Sequence, residues 1–299
     1  MTDLSCLQKH TVIVIGGPTA SGKTAASVQL AQKLGAEIIS ADSRQCYKEL
    51  NIGVARPSLQ ELAEVPHHFI ASHSIKEEVN AGVFEHYALQ KITELAQKNA
   101  YTIVVGGTGL YLKALCEGLD ELPKVDIQLR NKLICLYEAN GLIWLQEQVK
   151  ENDKLYWNEG EIQNPQRLLR ALEIVKTTGK SIIEFQRKQP AKRPFCIVKW
   201  AIDLPREQLY NNINTRVLGM IEAGLEEEVQ KLVTYKHLNA LQTVGYKEVF
   251  EYLDGTISLS VCIAQIQQHT RNYAKRQVTW FKNQGAYKAI SAKELNELF

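Results

Sequence analysis

Thr11-Val12-Ile13-Val14-Ile15-Gly16-Gly17-Pro18-Thr19-Ala20-Ser21-Gly22-Lys23-Thr24 decides the fold. A β-branched apolar run leads directly into the pattern G-x-x-x-x-G-K-[ST], and an amphipathic segment follows. Each residue type there has a task. Gly17 and Gly22 let successive backbone N–H groups turn inward as an anion nest, with Pro18, Thr19, Ala20 and Ser21 forming the loop between them. Lys23 reaches an outer phosphate, and Thr24 offers a hydroxyl to Mg²⁺. A strand before the loop and a helix after it make this a polyphosphate site, not a Gly-rich turn with a surface lysine.

The chain has 299 residues and 45% hydrophobic content, enough for one large domain or a domain carrying an insert, and too apolar for a disordered protein. Six cysteines (Cys6, Cys46, Cys116, Cys135, Cys196, Cys262) are scattered without C-x-x-C pairs, which suggests neither a zinc site nor a disulfide framework. His67 and His68 lack metal-ligand spacing with any of them and are read as structural. No apolar run is long enough to span a bilayer, and Met1 to His10 lacks a signal-peptide core, so a soluble cytoplasmic protein without membrane partners is expected. Net charge is only +2, but it is segregated. Nine Lys/Arg face two acids between Gln163 and Trp200, and six Lys/Arg face none between Gly255 and Lys293. One polyanion-facing surface would produce that pattern.

Along the chain, strand Thr11 to Ile15, helix Lys23 to Leu34, strand Glu37 to Ser40, helix to about Lys98 capped by Asn80, and strand Tyr101 to Val105 alternate. That order predicts an α/β fold with a parallel sheet flanked by helices, of the P-loop NTPase-like kind. Ligands bind beyond the carboxyl ends of such strands, where the phosphate loop, Asp42 and Thr108 all fall. From 123 to 194 the strand pattern disappears, predicting an all-helical insertion domain between core segments 1–122 and 195–299. Its helices read as Ile127 to Ala139, Gly141 to Lys150 and Pro165 to Thr177. In the last, Leu168, Leu172 and Val175 make the apolar stripe, with Gln166 and Arg170 opposite and Arg167 on the flank. A strand from Phe195 to Ile202 returns the chain to the core, and Pro205 opens a helix carrying Arg216. The helix Val261 to Asn283 directs Ile263, Ile266, Tyr273, Ala274 and Phe281 inward. Arg271, Lys275 and Lys282 form another stripe suited to a phosphate backbone.

A phosphate loop alone admits ATPases, GTPases, kinases and some transferases. A nucleotide hydrolase usually carries an acid after a hydrophobic strand to help hold Mg²⁺, yet Tyr101 to Val105 runs into Gly106-Gly107-Thr108. Asp42 is the one acid in a comparable position, and as a lone carboxylate it would serve the acceptor as a base. A small-molecule or nucleotide kinase with a helical lid, and a non-catalytic RNA-binding NTPase, stay open on these residues alone.

Asp42-Ser43-Arg44-Gln45 with Asn51-Ile52-Gly53, Pro66-His67-His68, Gly106 to Tyr111, Asn164 to Glu173, Thr243 to Lys247 and Tyr273 to Phe281 join the phosphate loop in one ordered set. Together they resemble the bacterial tRNA dimethylallyltransferase family over nearly the whole chain. The resemblance implies transfer of a dimethylallyl group from dimethylallyl diphosphate to the exocyclic amine of the adenosine 3′ of the anticodon, chiefly in tRNAs reading codons that begin with U. It implies that the loop holds diphosphate, although the loop alone would also admit ATP. Lys23, the loop amides, Mg²⁺ near Thr24 and Arg216 would stabilise the leaving group, Thr108 would bond the bridging oxygen, and Asp42 would take the proton. Ser43, Arg44 and Gln45 would read the flipped nucleotide. Gln166, Arg167, Leu168, Leu169 and Arg170, together with Gln242, Thr243, Val244, Gly245, Tyr246 and Lys247, would grip the anticodon stem-loop. Val54, Leu218 and Asp153-Lys154 depart from the family pattern. A monomer is expected.

Overall fold

The apolar run that opens the chain becomes the interior of a six-stranded sheet. The computed structural model describes residues 5–186, 189–284 and 286–298; Arg187 and Lys188 of the cationic stretch lie outside them. A short helix α1 (Ser5–Lys9) precedes β1 (Thr11–Gly16), which runs through the phosphate loop into α2 (Lys23–Leu34). Next come β2 (Glu37–Ser40), α3 (Leu59–Glu64), β3 (His67–His68), α4 (Ala81–Leu95), β4 (Tyr101–Gly106) and α5 (Gly109–Glu117). The sheet order is β3-β2-β4-β1, extended on the far side by β5 (Cys196–Ile202) and β6 (Lys288–Ile290). Each neighbouring pair is parallel.

Both faces of β1 are covered, which is why Val12 to Ile15 reads as a continuous apolar run instead of an alternation. On one face Ile13 and Ile15 join Val28, Leu30 and Ala31 of α2, Ile38, Ile103 and Val105 in a fully buried cluster. Burying each of these large side chains is worth about 1.5–3 kcal/mol. The edge strands β3 and β6, with two and three residues, were beyond the sequence pattern.

The insert, Leu119–Pro190, is a compact unit of its own, and Met1–Gly118 with Ala191–Phe299 make up the core unit. Both boundaries fall earlier than the expected 122/123 and 194/195. The Ala191 amide already donates to the Glu117 carbonyl at 2.7 Å, and the Arg193 guanidinium bonds the Ala114 and Leu115 carbonyls and Glu85, so these residues belong to the core. Within the insert, α6 (Ile127–Asn152) is two helices joined at Gly141, whose φ of 78° breaks the helical path where the sequence placed the division. With α7 (Lys154–Glu159) and α8 (Pro165–Thr178) it surrounds Leu133, Leu145, Val149, Tyr156, Leu168 and Leu172.

Back in the core, α9 (Arg206–Glu222), α10 (Leu225–Gln230), α11 (Tyr246–Leu253), α12 (Leu259–Asn283) and α13 (Ala292–Glu297) complete the fold. Among the described residues no helix is long and apolar enough to cross a membrane.

Candidate active site

The loop between β1 and α2 is built to hold an anion. Ala20 sits at φ 61°, a left-handed conformation that alanine keeps only where its surroundings enforce it. Asn80 and Asn164 satisfy first-turn amides of α4 and α8 with their side chains, whereas Gly22 leaves those of α2 uncapped. These amides lie at the positive end of the helix dipole. The Ser21 hydroxyl is buried without a partner in the same loop, a polar atom that a phosphate oxygen would satisfy. Lys23 Nζ donates to the Pro18 carbonyl at 3.0 Å. Burial, and next the charge of Arg216, push its ammonium down to about 8 against the pull of Asp42. Burial also disfavours the Arg216 charge, opposed by Asp42 and Glu61. Two crowded, desolvated cations repel each other, and an anion between them removes that cost.

Beyond β2 and β4 the chain ends are stitched together. Ala41 donates its amide to the Val105 carbonyl at 2.7 Å and accepts from the Thr108 amide at 3.2 Å. Asp42 Oδ1 accepts the amides of Arg44 and Gln45 at 2.9 and 3.3 Å, an Asx turn that orients the carboxylate. The Ser43 amide donates to Thr108 Oγ1 at 3.0 Å, and that hydroxyl donates to Ser43 Oγ at 3.3 Å. From α9, Arg216 reaches the Thr19 hydroxyl at 3.3 Å and the Ala55 carbonyl at 3.4 Å.

Two cavities meet here. A small one of about 50 Å³ is lined by Lys23, Thr24, Ser40 and His67, on the phosphate-loop side. A larger one of about 610 Å³ is lined by Ser43, Arg44, Gln242 to Gly245, Lys247, Tyr273 and Arg276. Thr19, Asp42, Val54 and Arg216 line both, so the carboxylate and the guanidinium stand in their common wall. A third cavity of about 650 Å³ lies apart, edged by Glu49, Glu227 and Glu228, whose charge repels phosphates.

Several residues expected at the site have other positions. Tyr246 is fully buried, with its hydroxyl donating to Glu228 Oε1 at 2.5 Å, so its side chain holds the fold and cannot meet RNA. The same Glu228 carboxylate accepts the amides of Asn51, Ile52 and Gly53. A Cβ on Gly53 would fall 2.5 Å from the Tyr246 ring, so only glycine permits that packing. Leu168 and Leu169 are core residues of the insert, because they lie on the apolar side of α8. Gln45 spends its amide on the Val54 and Ala55 carbonyls and on the Ser40 hydroxyl, which makes it a prop for the loop instead of a reader of bases. Arg271 is tied to Asn214 of α9 at 2.6 Å. Tyr273 points into the large cavity, 37% exposed, instead of into the core, and lies against Thr108. Thr108 itself lines neither cavity and sits behind Ser43.

Gln166, Arg167, Gln242, Lys247 and Lys275 are exposed. Arg170 is half-buried and pairs with Glu173 at 3.0 Å. The departures from the family pattern are absorbed locally: Val54 lines both cavities, Leu218 is exposed, and Asp153 caps α7.

His67, expected to be structural, lines the small cavity. Its Nδ1 bonds the Val65 carbonyl at 2.7 Å, and its Nε2 is buried without a partner. His68 instead pairs with Glu37 at 2.6 Å. No local sequence signal separates these two neighbours; alternation along β3 does.

A parallel sheet whose phosphate loop, carboxylate and guanidinium converge on a cavity of mixed polar and apolar lining defines an enzyme that handles phosphorylated substrates by the P-loop route. The family model for IPP transferase matches residues 45–284, and the chain belongs to that family. It is 42% identical over 295 residues to a tRNA dimethylallyltransferase of Cytophaga hutchinsonii, covering 99% of this chain and 97% of the relative. To the tRNA dimethylallyltransferase of Christiangramia forsetii it is 45% identical over 271 residues, covering 91% and 90%. Among solved structures it is similar to the tRNA isopentenylpyrophosphate transferase of Bacillus halodurans, with a TM-score of 0.71 and 33% identity over 97% of this chain and 94% of that one. It is similar also to a eukaryotic dimethylallyltransferase acting on tRNA, with a TM-score of 0.78 and 30% identity over 95% and 74% of the two chains.

Proposed function

We propose that the protein transfers a dimethylallyl group from dimethylallyl diphosphate to the exocyclic N6 amine of the adenosine 3′ to the anticodon, in tRNAs reading codons beginning with U, and releases diphosphate. One observation carries this reading: Asp42 and Arg216 stand in the shared wall of a phosphate-side cavity and a cavity wide enough for a nucleobase. A kinase needs both its phosphates and its acceptor in one cleft with an acid on the metal. Here Asp42, shared with the phosphate-side cavity, faces the acceptor side as well, and Glu248 and Glu251 line the large cavity only.

In this reading the diphosphate seats on the α2 amides, Ser21, Lys23 and Arg216, which neutralise the charge that develops as the allylic carbon–oxygen bond breaks. The adenosine is extruded from the anticodon loop into the large cavity, where its amine nitrogen forms the new bond to the allylic carbon. Asp42 takes the amine proton. Thr108, behind Ser43, supplies a hydroxyl toward the bridging oxygen once its bond to Ser43 is exchanged.

The donor set suits Mg²⁺ held through the substrate. Among the described residues no three His, Cys, Asp or Glu form a cation site, and Mg²⁺ at a phosphate loop needs only one protein hydroxyl, substrate oxygens and its own waters. Thr24 lines the small cavity and would provide that hydroxyl. When bound, the ion would add charge stabilisation to the leaving group. The exposed Lys247 and Lys275 of the core supply phosphate contacts to the tRNA, and the exposed Gln166 and Arg167 of the insert supply contacts of their own. A cytoplasmic location follows from the substrate.

Incubating the protein with tRNA and labelled dimethylallyl diphosphate tests the reading. Label in the RNA at the adenosine 3′ of the anticodon is expected. ATP consumption without RNA labelling would overturn it in favour of a kinase or an RNA-binding NTPase.

A further inference from the structure

One amide ties the long C-terminal helix to both sides of the donor site. Gln277, on α12, is buried to 7% exposure, and its side chain uses both ends. Its Oε1 accepts the Thr19 amide at 2.9 Å, and its Nε2 donates to the Gly107 carbonyl at 2.8 Å. Thr19 belongs to the phosphate loop and Gly107 precedes Thr108. The fit is tight, since a Cβ on Gly107 would stand 2.2 Å from Gln277 Nε2.

Both contacts lead onward to groups that flank the leaving diphosphate. With its backbone fixed by Gln277, Thr19 presents the hydroxyl that accepts from Arg216 at 3.3 Å. On the other side, the Gly107 carbonyl fixes the turn that carries Thr108, whose hydroxyl is bonded to Ser43. The Thr19 amide, being claimed by Gln277, is also withdrawn from the anion nest, which helps hold the left-handed Ala20 beside it. A carboxamide carries its donor and its acceptor on one carbon, and the glutamine side chain is one methylene longer than that of asparagine.

We propose that Gln277 is a positioning residue for prenyl transfer, setting the spacing of Arg216 and Thr108 across the donor through Thr19 and Gly107. This rests on the function proposed above. Misplacement by about 1 Å costs on the order of 10²-fold in rate, so the effect belongs in kcat.

The test compares wild type with Gln277→Met, which keeps the volume and loses both bonds, and Gln277→Glu, which keeps the acceptor and loses the donor. Transfer from dimethylallyl diphosphate to an anticodon stem-loop is measured, with thermal melting to confirm folding. For a folded variant, kcat falls by on the order of 10²-fold while the KM for RNA stays within about twofold. Combined with Thr108→Val, the two losses fall short of multiplying by at least about threefold, because they act on one unit. A folded variant with kcat within about twofold of wild type, or losses that multiply in full, overturns the proposal. Transfer by the wild type separates these outcomes from failure of the functional reading, which would show as no transfer at all.

Discussion

The backbone amide of Ser43 donates to the hydroxyl of Thr108 at 3.0 Å, joining the turn after β2 to the turn after β4. Asp42 and Thr108 are thereby held on one ridge, the first in the cavity wall and the second just behind it. Under the proposed function, Thr108→Val removes a hydroxyl that is bonded to Ser43 in the free protein and would turn to the leaving group when the donor binds. Loss of one such donor lowers kcat by about 10²–10³-fold, and Thr108→Ser retains most of it. Steady-state kinetics with saturating tRNA reads the difference, and an unchanged Kd for RNA separates it from a folding defect.

Lys23 gives the donor site a pH dependence with a definite sign. In the free protein its ammonium is pushed down to about 8, from the ordinary lysine value, by burial and by Arg216. A bound diphosphate favours the charged form, so affinity for the donor is level below about pH 8 and declines as pH rises through it. The folding linkage runs the other way. A lysine with a lowered native value binds fewer protons than the unfolded chain between about pH 8 and its ordinary titration range, so stability rises with pH there. Titration calorimetry with dimethylallyl diphosphate between pH 7 and 9, checked against Lys23→Met, measures the first effect.

Glu228 is a structural hub outside the chemistry. Its carboxylate takes the amides of Asn51, Ile52 and Gly53 and the Tyr246 hydroxyl. Tyr246→Phe costs about 1 kcal/mol, whereas Glu228→Ala strands three amides and costs about 2–4 kcal/mol. Urea denaturation gives both numbers. Because the same loop carries Val54 and Ala55 into the large cavity, Glu228→Ala also raises the KM for tRNA.

Exposed cations are expected to act through the RNA backbone. Arg167→Ala and Lys275→Ala each weaken tRNA binding and lower the slope of log K against log salt by about one, without changing which adenosine is modified. Arg271→Ala has little effect on that slope, since its guanidinium is committed to Asn214. Filter binding across a salt series distinguishes them.

Much of this was legible before any coordinates. β1, the phosphate loop and α2 announce themselves because their signals are local: a β-branched run, fixed glycines and a helical period. The rule that ligands sit beyond strand ends led to Asp42, which lines both cavities, and to Thr108, which the rule could not show to lie one layer behind them. Burial was harder to read. Tyr246 and Gln45 lie in motif blocks, but a block does not say which way a side chain faces: Tyr246 turns inward to a carboxylate 18 positions away, and Gln45 to carbonyls 9 and 10 positions away. Leu168 and Leu169 could have been set aside from the helical period alone, since both fall on the apolar side of α8. Gln277 lies in the block Tyr273 to Phe281, but its task was not legible there, because its partners lie 258 and 170 positions away.

The central claim is that Asp42 accepts the proton of the attacking amine while diphosphate leaves from the loop. Single-turnover transfer from labelled dimethylallyl diphosphate to an anticodon stem-loop, compared between wild type and Asp42→Ala, tests it most directly. The rate is expected to fall by about 10²–10⁴-fold with RNA affinity retained within about threefold. A variant that binds RNA and transfers the prenyl group at the wild-type rate would contradict it.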